Sequence, residues 1–97
     1  MEFGIRPGVL DEIRQLAETY HIEKVILFGS RARGDYKRTS DIDLAISGGD
    51  VVRFALAVDE ETSTLLMYDV VDLDGPVQDE LRQSIEREGI VIYEKVR

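Results

Sequence analysis

Residues 29–43 read Gly-Ser-Arg-Ala-Arg-Gly-Asp-Tyr-Lys-Arg-Thr-Ser-Asp-Ile-Asp. The stretch joins a glycine-containing bend to two aspartates, Asp41 and Asp43, that lie one residue apart. A bend of this kind can present backbone N–H groups to an anion. Two nearby carboxylates can bind a divalent cation. The stretch therefore predicts a site for a phosphate group and a metal ion together.

The segments on either side of this stretch predict two β-strands. Residues 25–28 form a short apolar run that ends at Gly29, which is typical of a buried strand. Residues 41–47 alternate in polarity, so that Asp41 and Asp43 share one face while Ile42 and Leu44 occupy the other. The connection between these two strands permits either a parallel or an antiparallel pair.

The rest of the chain predicts helices alternating with strands. Apolar spacing indicates helices over residues 8–21, 50–62 and 76–88, a helical turn at 31–34, and strands at 68–73 and 90–93. The order is αβ(α)βαβαβ. We expect a single α/β (α+β) domain over residues 1–97, with a small mixed sheet and helices on one of its faces.

Composition excludes several classes of protein. The chain has 97 residues, no cysteine and a net charge of −8. A disulfide framework and a thiolate metal site are impossible, and general binding to nucleic acid is disfavoured by the negative charge. No apolar run is long enough to span a membrane, and no signal peptide is visible. We expect a cytoplasmic protein without membrane contact.

The aspartate pair by itself is ambiguous. The Cα atoms of residues i and i+2 in a strand lie about 6.5 Å apart, so the two carboxylates repel each other. Mg²⁺ would relieve this repulsion, because it binds a few carboxylates together with phosphate oxygens. An Asp-x-Asp sequence nevertheless more often consists of two solvated carboxylates on an exposed strand than of a metal site.

The preceding bend favours the metal interpretation. Gly29 permits a tight turn, Ser30 offers a hydroxyl group, and the following residues can begin a helix whose free N–H groups suit a phosphate. Arg31 and Arg33 are candidates to bind phosphate oxygens. Both cannot point in the same direction on a helical segment, so we expect only one of them to reach a nucleotide.

A third carboxylate is expected, because two metal ions need bridging ligands and an attacking hydroxyl group needs a proton acceptor. The candidates are Asp69, Asp72 and Asp74. Asp69 is favoured, although the strand pattern alone leaves the choice between Asp69 and Asp72 open.

The spaced motif Gly29-Ser30-Arg31-Ala32-Arg33-Gly34 and Ser40-Asp41-Ile42-Asp43-Leu44 resembles the signature of the DNA polymerase beta-like nucleotidyltransferase superfamily. More narrowly, nearly the whole chain is similar to the minimal nucleotidyltransferases, the MNT antitoxin-type proteins. The resemblance implies a polymerase-beta-like palm, with Asp41, Asp43 and Asp69 as the metal-binding and catalytic carboxylates. Met67 is a departure, since relatives often have proline before the tyrosine.

The resemblance implies transfer of a nucleoside monophosphate, AMP from ATP, to a hydroxyl group, with two Mg²⁺ ions. The implied acceptor is a tyrosine of a partner HEPN-domain toxin, and the chain would be the antitoxin. The alternative is a non-catalytic antitoxin that neutralises its toxin by direct binding. An aminoglycoside-type nucleotidyltransferase is a weaker hypothesis, because those relatives carry a further helical domain.

Overall fold

The computed structural model describes residues 3–96, and their elements follow the predicted order. The helices are α1 (Pro7–Thr19), α2 (Ser30–Arg33), α3 (Val51–Glu61) and α4 (Asp79–Glu88). The strands are β1 (Lys24–Phe28), β2 (Ile42–Ser47), β3 (Tyr68–Asp72) and β4 (Ile90–Glu94). Within the described residues no helix combines the length and the apolar composition needed to cross a membrane.

The four strands form one mixed sheet in the order β3-β2-β1-β4. Strand β1 pairs antiparallel with both β2 and β4, whereas β2 and β3 are parallel. This settles the orientation that the sequence left open. Because β1 runs opposite to β2 and β3, its last residue lies at the edge of the sheet where β2 and β3 begin.

One face of the sheet carries most of the core. Helices α1 and α3 cover this face, and their buried side chains include Ile13 and Phe54. These side chains belong to one apolar cluster with Leu27 and Leu44 of the sheet. Ile13 and Phe54, which lie in the helices predicted over residues 8–21 and 50–62, are therefore core residues.

The opposite face is covered in part by α4. Phe28, Ala45 and Ile85 form a second buried cluster there, with Val71 and Leu81 packed against it. The prediction of helices on one face is right for α1 and α3 and wrong for α4. The physical reason is that alternate residues of β1 and β2 on this face are apolar and need cover.

Two local signals account for helix boundaries. Asp50 begins α3 as its N-cap, because its Oδ1 accepts a hydrogen bond from the Arg53 N–H at 3.1 Å. The predicted start of the last helix at Pro76 is wrong, since α4 begins at Asp79 with Gln78 as its N-cap. The Gly75 N–H donates to the Asp72 carbonyl, so β3 leads into a turn first.

Candidate active site

The parallel register of β2 and β3 brings two of the predicted carboxylates side by side. Asp43 is the direct register partner of Asp69. Neighbouring strands lie about 4.8 Å apart, and residues in register project from the same face. Asp43 shares its face with Ala45, and Asp69 shares its face with Val71. Both side chains therefore leave the sheet on the side that α4 partly covers.

Asp41 completes a group of three. It is exposed and lies just before β2, which begins at Ile42. The Ile42 N–H donates to the Met67 carbonyl at 2.9 Å, which fixes the entry into β2 beside the entry into β3. The register before Asp69 is thus defined by a backbone hydrogen bond, although Met67 departs from the family pattern.

The pKa of Asp43 reports this crowding. Burial of the carboxyl group and the nearby charges of Asp69 and Asp41 raise the pKa from 3.8 to about 6. Arg33 and Arg31 oppose this effect more weakly. Asp43 thus lies within electrostatic range of both other carboxylates, and its ionised form is disfavoured by them.

The bend at Gly29 lies directly against Asp43. Gly29 has φ 74° and ψ −156°, a conformation that is essentially restricted to glycine. A Cβ atom at this position would lie 2.2 Å from Asp43 Oδ2. The phosphate-binding turn predicted from the sequence and the carboxylate pair therefore occupy the same point at the edge of the sheet.

Ser30 is the first residue of α2 and follows Gly29 immediately. The Ala32 and Arg33 N–H groups donate to the Gly29 carbonyl at 3.2 and 3.1 Å, which closes the single helical turn. Gly34 ends α2 in the left-handed conformation, with φ 97°. The segment is therefore a tight bend followed by one turn of helix, as predicted.

Arg31 does not occupy the position predicted for it. Its side chain is buried, with 1% of its surface exposed. Its guanidinium group donates to five backbone carbonyls, those of Phe3, Gly4, Lys37, Arg38 and Ser40. The ring of Tyr36 lies 5.0 Å from Arg31 Cζ. The prediction that Arg31 binds phosphate is contradicted by this geometry, because its N–H groups already face carbonyl oxygens.

Arg33 is half-exposed and faces the other direction. Its Nη1 lies 3.2 Å from Glu88 Oε2 of α4, and its Nε lies 3.3 Å from Asp35 Oδ2. The hydrogen bonds that Arg33 donates to Glu88 and Asp35 raise the pKa of its guanidinium group above the ordinary value. The two arginines diverge, as the helical spacing required, and Arg33 is the one that remains accessible from solvent.

The two other acidic candidates have different contacts. Asp72 pairs in register with Ile46 at the far end of β3, and its Oδ1 accepts a hydrogen bond from the Asp74 N–H. Asp74 Oδ2 accepts from the Gly48 N–H at 2.6 Å. Both residues stabilise turns at the opposite end of the sheet from Gly29, so the geometry favours Asp69 as the third carboxylate.

The side chains of Asp41, Asp43 and Asp69 do not yet form a metal site. Within residues 3–96 no three acidic or histidine side chains are gathered closely enough to hold an ion. The donor types nevertheless fit Mg²⁺ chemically, since carboxylates are hard oxygen ligands, Asp43 and Asp69 are register partners, and the charges of Asp69 and Asp41 both act on Asp43.

Comparison with known families identifies the chain. The family described as Polymerase beta, Nucleotidyltransferase matches residues 11–97, which include every residue of the group described above. The chain belongs to this family.

Relatives of this nucleotidyltransferase agree with that assignment. A Methanocaldococcus jannaschii protein is 40% identical over 82 residues, which cover 74% of this chain and 79% of the relative. That relative bears the provisional name protein adenylyltransferase. A second M. jannaschii protein with the same kind of name is 46% identical over 33 residues, or 34% of this chain and 38% of its own.

Solved structures share the fold of this nucleotidyltransferase. A toxin–antitoxin complex crystallised with AMP-PNP contains a chain with a TM-score of 0.67 and 25% identity, covering 89% of this chain and 73% of the other. A Sulfolobus solfataricus protein, provisionally named a nucleotidyltransferase, has a TM-score of 0.54 and 26% identity over 97% of this chain and 86% of its own.

A surface hollow lies near the candidate site of this nucleotidyltransferase. A hollow of about 750 Å³ lies near the starts of β2 and β3, and it is lined by Arg6, Thr39 and residues 62–67. Asp41, Asp43 and Asp69 are not among the residues that line it. Asp41 and Asp69 are exposed and Asp43 is partly buried, so this rim of the sheet is open to solvent.

Proposed function

We propose that this chain transfers AMP from ATP to a hydroxyl group of a partner protein, with Asp41, Asp43 and Asp69 as its metal-binding carboxylates. The observation that carries the proposal is the position of Asp43, which has Asp69 beside it in register and Gly29 against its carboxylate. Members of the family transfer nucleotides, and the adenylyltransferase name of the 40% identical relative favours AMP as the group transferred.

The outer phosphates of ATP would lie at the bend. The Ser30 hydroxyl group would donate to phosphate at this point, since the Ala32 and Arg33 N–H groups already donate to the Gly29 carbonyl, and Arg33 is the accessible one of the two arginines on α2. Arg33 would exchange its surface ion pairs for phosphate oxygens at modest cost, since exposed ion pairs contribute little. Arg31 has no part in phosphate binding in this proposal.

The carboxylates would bind Mg²⁺ together with the triphosphate. When bound, Mg²⁺ neutralises the phosphate charge that builds up during transfer. Burial and the neighbouring carboxylates raise the pKa of Asp43, and a bound cation would favour its ionised form by offsetting both effects. Asp69, on the strand beyond Asp43, would accept the proton of the attacking hydroxyl group.

The reaction is a single displacement. The acceptor oxygen forms a bond to the α-phosphorus, the bond from that phosphorus to the bridging oxygen breaks, and pyrophosphate leaves from the Gly29 side of the site. The acceptor proton passes to Asp69. The chain would act chiefly by orienting the two substrates and by stabilising the charge of the transition state. Phosphoryl transfer of this type requires little covalent chemistry from the protein.

A toxin is the proposed partner. One structural neighbour is a toxin–antitoxin complex that contains AMP-PNP, an ATP analogue. The open rim favours an acceptor that brings its own surface, and the net charge of −8 suits a basic partner. We propose a tyrosine of a HEPN-domain toxin as the acceptor, and a cytoplasmic location for the pair.

Labelled ATP tests the proposal directly. The chain is incubated with [α-³²P]ATP, Mg²⁺ and the candidate toxin, and label on the toxin is measured. We expect labelling by the unaltered chain and none by the double variant Asp41→Asn/Asp43→Asn. The control is Glu60→Gln/Glu61→Gln, which removes the same charge from exposed positions of α3.

The same assay tests the alternative of neutralisation by contact. Toxin activity is measured beside labelling for each variant. Label that is absent with the unaltered chain contradicts the proposed enzyme, and label that persists in the aspartate double variant contradicts the assignment of Asp41 and Asp43 as its metal-binding carboxylates. Neutralisation that persists while label disappears means that the chain inhibits its toxin by binding and that transfer is a separate activity.

A further inference from the structure

We propose that Arg31 is a positioning residue, which holds the loop of residues 35–41 so that Asp41 stands beside Asp43. The inference rests on the proposed function of the three carboxylates. It assigns to Arg31 a role that depends on backbone carbonyls and not on the nucleotide.

Asp41 needs such support because the sheet fixes the chain only on its C-terminal side. β2 begins at Ile42, so Asp41 itself lies outside the strand. On its other side the chain is a polar loop in which Lys37 and Arg38 are exposed. Without a further anchor the direction of the Asp41 side chain would follow the motion of this loop.

The anchor is the carbonyl group immediately before Asp41. Arg31 donates to the Ser40 carbonyl from two nitrogens, Nε at 3.1 Å and Nη2 at 2.9 Å. The Ser40 carbonyl and the Asp41 nitrogen belong to one planar peptide unit. Fixing the carbonyl therefore fixes the orientation from which the Asp41 side chain departs.

The same guanidinium group connects this peptide to the rest of the structure. Its Nη1 donates to the Phe3 and Gly4 carbonyls, both at 3.1 Å, and its Nη2 also reaches the Lys37 and Arg38 carbonyls. Gly4 has φ +69°, and a Cβ atom there would lie 2.7 Å from Arg31 Nη1. The chain thus leaves room at Gly4 for this contact.

The choice of arginine follows from the number of acceptors. A buried cation is costly unless its donors are satisfied, and the five N–H groups of the planar guanidinium here make six contacts with five carbonyls. Lysine has three N–H groups on a single atom and cannot span the same set. Arg31 lies in α2, two residues after Gly29. Its side chain therefore also connects the bend at Gly29 to the loop of residues 35–41.

The test compares Arg31→Lys with Arg14→Met. Arg14 is a matched control, because its Nε also donates to a backbone carbonyl, that of Ile92 at 2.8 Å, on an element remote from the site. Mn²⁺ binding to each chain is measured by electron paramagnetic resonance, without nucleotide. Amide exchange of Lys37 and Ser40 and the melting temperature are measured in parallel.

We expect Arg31→Lys to weaken Mn²⁺ binding about 10-fold or more, as loss of a residue that orients a ligand does. The Lys37 and Ser40 amides should exchange faster in this variant. Arg14→Met should lower the melting temperature and leave Mn²⁺ affinity and loop exchange unchanged. If Arg31→Lys lowers only the melting temperature, Arg31 is merely structural and the inference is overturned.

A second variant decides the matter if Arg31→Lys does not fold. Ser40 Oγ accepts from the Lys37 N–H at 2.8 Å, so Ser40→Ala loosens the same loop and leaves Arg31 in place. We expect about a fivefold loss of Mn²⁺ affinity, equivalent to one hydrogen bond. If the Lys37 amide exchanges faster in a folded Ser40→Ala chain and Mn²⁺ affinity is unchanged, the order of the loop does not determine metal binding and the inference is overturned.

Failure of the proposed function gives a different result. If the unaltered chain binds no Mn²⁺, the metal site proposed for the three carboxylates is wrong. The claim that Arg31 holds the loop is then decided by exchange alone, and unchanged exchange of Lys37 and Ser40 in Arg31→Lys overturns it.

Discussion

At Asp43, the ionised carboxylate that the proposed function requires lowers the stability of the folded protein. Its carboxyl group is crowded by Asp69, Asp41 and the bend at Gly29, and its pKa is raised from 3.8 to about 6. A folded-state pKa above the unfolded value means that the folded protein gains stability from protonation. That contribution is complete below pH 3.8 and is lost as the pH rises through about 6.

Asp43→Asn should therefore stabilise the metal-free protein at neutral pH and abolish transfer. Because the carboxyl group is partly solvated, the gain in unfolding free energy should be only about 1 kcal/mol above pH 6.5. The gain should vanish near pH 3.5. Urea unfolding at several pH values measures it, and a gain that does not change with pH would contradict the assignment of the shift to Asp43.

Gly29 is the second residue whose identity is fixed by its surroundings. Alanine there would combine a glycine-only backbone conformation with a contact of 2.2 Å to Asp43 Oδ2. We expect Gly29→Ala to cost about 3 kcal/mol or more in unfolding free energy, and to displace Asp43 with loss of activity. Thermal melts and the transfer assay measure both effects.

Gly8→Ala is the matched control for Gly29→Ala. Gly8 lies in α1, and a Cβ atom there would have nothing within 4 Å. Alanine should be neutral or slightly stabilising at this position, because it reduces the freedom of the unfolded chain. A Gly29→Ala chain as stable and active as the control would show that the bend tolerates a side chain.

Single residues also show which contacts can be predicted from the sequence and which cannot. The spacing of Asp41 and Asp43 and the position of Gly29 predicted their common site, because strand alternation and turn chemistry are local. Arg31 was a candidate to bind phosphate, because the forked donors of a guanidinium group suit phosphate oxygens. Its real acceptors include the Phe3 and Gly4 carbonyls, 28 and 27 positions away in the chain, and no local pattern indicates such contacts.

At the scale of elements, the sequence predicted the order of the helices and strands but did not predict whether neighbouring strands run parallel or antiparallel. Hydrophobic periodicity located every helix and strand approximately, because each element must bury one stripe or face. Whether β1 and β2 run parallel depends on how a loop that is anchored by a buried arginine folds back. Likewise, α4 packs on the second face because Phe28 and Ala45 need cover, a requirement that appears only once the register is known.

The N-cap of α3 gives a prediction at this scale. Asp50 is exposed, and its carboxylate accepts from the Arg53 N–H, so its main contribution is to begin the helix. Asp50→Ala should cost about 1 kcal/mol and lower the melting temperature by about 4–8 °C. The transfer rate at 25 °C should not change, because α3 lies on the face opposite Asp43 and Asp69.

Asp59→Ala provides the comparison for Asp50→Ala. It removes the same charge from the same helix at an exposed position near the other end. We expect its effect on unfolding free energy to stay within about 0.5 kcal/mol. Equal losses in the two variants would mean that net charge, and not capping, determines the result.

At the scale of the whole molecule, the net charge is −8, and the charges of Asp41 and Asp69 act on Asp43. Binding of a metal ion to these carboxylates would therefore also change the stability of the folded protein. A cation that binds only the folded state stabilises it by mass action, by about 2.7 kcal/mol at a free concentration one hundred times Kd. Simple screening of surface charge by any salt also stabilises an acidic protein. The two effects differ in which carboxylates they require.

We therefore expect MgCl₂ to raise the melting temperature more than NaCl of equal ionic strength. The excess should disappear in Asp41→Asn/Asp43→Asn and persist in Glu60→Gln/Glu61→Gln, which has the same net charge. It should also be smaller at pH 5.5 than at pH 7.5, because Asp43 must lose its proton to bind the ion. Differential scanning fluorimetry measures all three comparisons, and an excess that survives in the aspartate variant would assign Mg²⁺ binding to other acidic residues of the surface.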